Sequence, residues 1–217
     1  MVSALAPVAM TEKTSPASPA SPLRRIWLAL TAVFVLVGGN LFLASPQSAS
    51  ADIFATCVLS TGTGCLADDA NEDFCTVYAW PTTYGNRFMD AMANLDAQTD
   101  MYDTYQSTCG AQTDIGGYLN KSKEMTAPLD SYTLGAYSCT KKIAGSSTVC
   151  DQGSLTINTS LLTDATKIRK TLCHEIGHAV GLLHYPMGTT GVGCMVSWYS
   201  SAITYSAHHV SHINAAY

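Results

Sequence analysis

Four side chains able to hold a metal ion or move a proton stand within eleven positions: His174, Glu175, His178 and His184, in the stretch TLCHEIGHAVGLLHY from Thr171 to Tyr185. On an α-helix, residues four apart lie one above the other, so His174 and His178 can reach a single ion from one face. Glu175 follows the first histidine directly. Its carboxylate leans beside such an ion and not onto it, which suits a base that takes a proton from activated water. Gly177 keeps the helix surface bare between the two imidazoles. One turn beyond His178, Gly181 lets the chain leave the helix through a positive φ that residues with a Cβ avoid, and the turn swings His184 back toward the same ion. Three neutral imidazoles leave the fourth position of a tetrahedral zinc open, as a catalytic site requires and a closed structural site does not. The chemistry so implied is metal-assisted hydrolysis.

Those residues need a scaffold. Thr163 or Asp164 is placed to cap the helix that carries them, and SLTINTSLL before it and YTLGAYSC further upstream alternate β-branched, aromatic and small residues as strands do. From Asn86 to about Tyr105, the residues Phe88, Met89, Met92 and Leu95 recur at helical spacing among Asp and Asn, which predicts an amphipathic helix with one buried face. Residues 52–85 carry Cys, Gly and Pro with little periodicity and read as strands and loops tied by disulfides. A last short helix is expected from about Ser206, with Val210, Ile213 and Tyr217 near one side.

The motif HEIGHAVGLLH has the form HExxHxxGxxH, and Met195, in CMVS, follows eleven residues beyond His184. Together they resemble the metzincin clan of zinc endopeptidases and its methionine turn. The resemblance covers residues 86–217 with decreasing specificity and points toward a matrixin-like or snapalysin-like secreted enzyme. It implies an α+β fold: a twisted mixed β-sheet with two long helices and a small, irregular C-terminal subdomain, in a disulfide-bonded domain. It further implies one catalytic Zn2+ on His174, His178 and His184, with Glu175 as general base and Met195 supporting the metal from below without binding it. A protein or peptide substrate would lie extended along an edge strand, with Tyr185 to Tyr199 walling the side-chain pocket. Departures are plain. Tyr185 follows the third histidine, where matrixins carry serine and reprolysins aspartate, and Ser197 stands where astacins and serralysins place a zinc-approaching tyrosine, with Tyr199 two residues further on.

Around this centre the chain has the organisation of an exported protein. A Ser/Pro/Ala-rich start leads to Arg24 and Arg25, an apolar run from Ile26 to Ala44, and small residues at Ala49, Ser50 and Ala51. That layout is a secretory signal peptide over 1–51, cleaved before Asp52; a retained membrane anchor is the competing reading. Residues 52–217 then form one catalytic domain, of which 52–85 is a segment open to trimming. This domain holds 8 Lys/Arg against 15 Asp/Glu, a net charge of −7 with neutral histidines, which argues against a nucleic-acid partner. No stable membrane association is expected after cleavage, and the mature protein is expected to be a monomer. All eight cysteines fall after residue 51. An even count behind an export signal reads as disulfides formed outside the cytoplasm. Cys139 with Cys150 is the first pairing expected and Cys173 with Cys194 the second; no CxxC spacing favours a structural zinc site.

Other candidates carry less. His208, His209 and His212 include an i, i+4 pair, but near a chain end they read as a polar, solvated helix face and stay outside the site. DDANEDF sets Asp69, Asn71 and Asp73 at alternate positions, yet Phe74 stands where a calcium loop needs glycine, so the stretch reads as a solvated acidic loop with Ca2+ as a secondary cofactor candidate. Asn120 and Asn158 begin glycosylation sequons. The rival functional classes are a secreted zinc-binding protein without turnover, against which Glu175 speaks, and a membrane-anchored interaction protein of the same fold.

Overall fold

A computed structural model describes residues 65–120, 129, 132–184, 193–197 and 200–217. The leader 1–51, Cys57, Tyr185, Gly188, Gly191 and Tyr199 lie outside the described residues.

Among the described residues, six strands and three helices give an α+β protein with a mostly parallel sheet. The strands are β1 (Leu66–Ala67), β2 (Asn71–Thr76), β3 (Tyr102–Tyr105), β4 (Ile115–Leu119), β5 (Gly135–Lys142) and β6 (Val149–Ile157). The helices are α1 (Thr82–Gln98), α2 (Ala165–Ala179) and α3 (Ala207–Ala216). In the sheet the order β1-β6-β4-β2-β3 is parallel throughout, and β5 adds to β6 antiparallel, Gly135 opposite Ile157 and Cys139 opposite Gly153. The sheet is therefore mixed, with β5 at an edge.

Helix α1 crosses over between the parallel strands β2 and β3, as parallel pairing demands. It begins at Thr82, after Pro81, and ends at Gln98, and Thr99 is already extended. The expected helix to Tyr105 is thus too long at its C-terminal end, because Tyr102–Tyr105 pairs with Asn71–Phe74 and sheet hydrogen bonding overrides the helical spacing. Phe88, Met92 and Leu95 are buried on one face of α1, where they meet Phe74, Ile115, Leu155 and Ile157 in the main core. Full burial of such side chains stabilises by about 1.5–3 kcal/mol each. Helix α1 packs on α2, and α2 lies against β5 and β6.

Of the expected strands, YTLGAYSC enters β5 only from Gly135, and SLTINTSLL ends as a strand at Ile157. Asn158 turns the chain there, its Oδ1 accepting from Ser160 N and its backbone N–H donating to Leu134 O. Between Val180 and Ser206 the described residues form no helix or named strand, only isolated bridge positions such as Gly193 to Tyr205. Helix α3 starts as expected: Ser206 Oγ accepts from His209 N, Ile213 is buried, and Val210 and Tyr217 pack beside it.

Disulfides join Cys139 to Cys150 and Cys173 to Cys194, the two pairs expected, and also Cys75 to Cys109. Cys65 is disulfide-bonded as well. These bonds fit an oxidising compartment. Among the described residues no helix is long and apolar enough to cross a membrane.

The acidic stretch DDANEDF is a solvated loop only in its first half, where Asp68 and Asp69 are exposed. Its second half is β2, whose alternation turns Glu72 inward along with Phe74, and Glu72 is 1 % exposed. No group of acidic side chains converges as a metal site among the described residues, so nothing there supports Ca2+. The histidine trio is corrected too: His209 and His212 are buried beside Ile213 and do not form a solvated face.

Candidate metal centre

The helix that carries HEIGH is fixed at both ends. Asp164 accepts a hydrogen bond from Lys167 N at 2.9 Å, capping the N-terminus. At the other end Gly181 takes φ +91°, the left-handed conformation expected of it, while its N–H donates to His178 O and Leu182 N–H donates to Gly177 O. From Lys170 to Ala179 every residue of α2 is buried.

The reversal after Gly181 brings the third imidazole home. His174 Nε2 and His178 Nε2 lie 3.2 Å apart, and His184 Nε2 is 2.9 Å from each. Metal ligands at about 2.0–2.1 Å in a tetrahedral set stand about 3.3–3.4 Å apart, so these three edges are near what one ion needs. Tautomers agree. His174 Nδ1 meets Cys194 O at 2.9 Å, and His178 Nδ1 meets Leu182 O at 2.7 Å. A carbonyl oxygen only accepts, so both Nδ1 atoms must donate, and both neutral rings then turn unprotonated Nε2 lone pairs toward each other. Protonation does not relieve this. Burial, helped by neighbouring histidines and Lys170, pushes His174 well below the usual histidine range; burial also brings His178 down to about 4 and lowers His184. Neutral rings with converging lone pairs are a donor set for a cation, and His174, His178 and His184 could hold a metal ion.

On the same helix, a Cβ on Gly177 would collide with Sδ of Met195, which is fully buried. The bare helix surface expected at Gly177 is thus where the methionine packs. Cys194 holds this turn to the helix twice, through the disulfide to Cys173 and through the carbonyl that accepts from His174. Tyr205 Oη donates to Cys173 O at 3.0 Å, closing the same layer.

Glu175 is buried beside the histidines. Burial raises its carboxyl to about 8, against the opposing pull of the Lys170 ammonium and a hydrogen bond from the Tyr137 backbone N–H on β5. Gly135 makes that approach possible, since a Cβ there would meet Thr171 Cγ2 at 2.7 Å and Glu175 Cγ at 3.0 Å. The first residues of β5 and the exposed face of the metal centre border a cavity of about 410 Å³, which Lys170 and Ser197 also line. Asn158 fixes its far rim: Nδ2 donates to Thr133 O at 3.0 Å. That side chain is 2 % exposed, so its sequon does not present a surface acceptor.

All four residues expected in the site meet there. Sequence reasoning missed Lys170, Tyr137 and Asn158. Lys170 alone left a signal, standing one helical turn before His174 on the same face. His208, His209 and His212 join no three-residue ligand group among the described residues. No family model matches this chain and no curated protein is significantly similar to it, so the metal centre's own geometry carries the functional reading.

Proposed function

We propose that the protein is a secreted zinc endopeptidase of metzincin type that hydrolyses peptide bonds in proteins. The observation that carries the reading is the convergence of three imidazole Nε2 atoms next to a buried carboxyl, on a cavity bordered by an edge strand. A neutral donor set of three imidazoles suits zinc, which when bound supplies Lewis acidity and makes water a nucleophile near neutral pH. Glu175 accepts the proton of the attacking water and delivers it to the departing amine. Burial raises its proton affinity in the metal-free protein, and a bound cation would lower it again, so that the carboxylate can accept a proton near pH 7. The Tyr137 N–H holds the carboxylate in place through these transfers. Among the described residues strand β5 lies at the sheet edge, and an extended peptide added beside it would be aligned across the centre. Met195 packed under Gly177 favours the metzincin arrangement, and the disulfides favour export.

The exported protein, zinc-replete, is incubated with a mixture of denatured proteins, with and without a chelator, and the new chain ends are sequenced. Chelator-sensitive cleavage that Glu175→Gln abolishes while keeping one equivalent of zinc is the expected result. Intact substrates with folded, zinc-loaded protein would overturn the proposal and favour a non-catalytic zinc-binding protein.

A further inference from the structure

Lys170 is the one lysine buried in α2. It is 6 % exposed, yet it lines the cavity in front of the metal centre. Its Nζ donates to Val196 O at 2.6 Å, which leaves two of its three N–H bonds for other acceptors. No ion pair joins it to another described residue, whereas Arg87 pairs with Asp90 and Lys141 with Asp151. Glu175 attracts the ammonium through space without standing at ion-pair distance. Holding an ammonium out of water without a carboxylate in contact opposes folding, and if tethering Val196 were the whole role, a neutral donor would serve. A cation kept at that position is matched to an anion that arrives from outside. Lys170 and His174 are one turn apart on the same helix face, with Cβ atoms about 5–6 Å from one another. Both line the same cavity with Glu175, His178 and His184, so an anion on Nζ would lie in the cleft that a substrate must enter. Ser197, on the same wall, adds a hydroxyl.

We propose that Lys170 is a specificity residue that binds a carboxylate of the peptide substrate, so that the enzyme selects peptides bearing this group beside the scissile bond. The inference rests on the endopeptidase reading for its meaning but not for its measurement. The carboxylate has two sources, an Asp or Glu side chain or a free chain terminus, and both present the same two oxygens.

Two readouts separate the claims. In the first, kcat/KM is measured on zinc-loaded protein for peptides that differ only by Glu or Gln next to the cut, each with a free or an amidated C-terminus. A charge-assisted hydrogen bond in this setting predicts at least about tenfold preference for the carboxylate form, and Lys170→Met should reduce that ratio to about one while the Gln peptide is still cut. Loss of preference on amidation, and not on Glu to Gln exchange, assigns the terminus as the source. In the second, calorimetry measures binding of the same peptides to zinc-loaded Glu175→Gln protein, with and without Lys170→Met. Selective, Lys170-dependent binding of the acidic peptide without any cleavage by the parent would uphold the carboxylate subsite and overturn the endopeptidase. Cleavage with equal rates for Glu and Gln peptides, free or amidated, overturns the subsite and leaves the endopeptidase. Should Lys170→Met fail to fold, Lys170→Gln keeps a donor for the Val196 carbonyl and tests the charge by itself.

Discussion

Met195 and Gly177 form a contact in which one missing methyl group lets the turn pack on the helix. In Gly177→Ala the new Cβ would occupy the position of Met195 Sδ, so helix and turn must part. Overpacking of this kind costs about 1–3 kcal/mol, read as a lower urea midpoint, and pairing it with Met195→Ala should recover part of the loss. His184 is the contrasting case. It is the one exposed member of the ligand set, and it rests on the turn after Gly181 instead of on the helix. His184→Ala should leave metal-free stability within about 0.5 kcal/mol of the parent, as surface changes do. Metal stoichiometry, followed by titration with a chromophoric chelator, should fall from one toward zero. A retained equivalent of tightly bound metal would remove His184 from the centre.

At the scale of elements, α2 is a helix made to be held. Its N-terminus relies on Asp164, and Asp164→Ala should lower stability by about 1 kcal/mol in denaturant titrations, with no change in metal affinity because the cap lies more than two turns from His174. The C-terminal half relies on the turn bearing Cys194. Replacing both Cys173 and Cys194 by alanine frees the carbonyl that orients His174 Nδ1, and loss of such an outer partner weakens metal affinity about 10- to 100-fold. Competition against a chelator of known affinity would measure it; unchanged affinity would show that Lys170 and Tyr205 suffice to hold the turn.

Across the whole molecule, pH acts through two opposed sets of groups. Burial, reinforced by Asp68, Asp73 and Asp69, raises the Asp114 carboxyl from 3.8 to about 7, although Asp73 N donates to it. The folded chain then binds that proton more tightly than the unfolded chain, so the Asp114 contribution to stability falls as pH rises from about 4 to about 7. In metal-free protein the depressed histidines titrate the other way, adding stability as pH rises through the same window. Raw pH profiles mix the two effects. The difference between Asp114→Asn and the parent isolates one: the variant should gain relative stability steadily from pH 4 to 7 and hold the gain above that, in metal-free thermal melts. A constant difference would mean that Asp114 is not perturbed by folding.

Local spacing alone pointed to the three converging imidazoles, the carboxyl beside them, the positive φ of Gly181, a cap at Thr163 or Asp164, a helix from about Ser206 and two of the disulfides. These are properties of a helix and its ends, decided by neighbours in sequence. Only the tertiary structure decided that Tyr102–Tyr105 is a strand and not the end of a helix, that Glu72, His209 and His212 are buried, and that Cys75 meets Cys109. It also decided that Lys170 lines the cavity, that the Tyr137 N–H meets Glu175 and that Asn158 holds Thr133. Each of these depends on which distant segment supplies a hydrogen-bonding edge or excludes water, and neither is encoded in the periodicity of the segment itself.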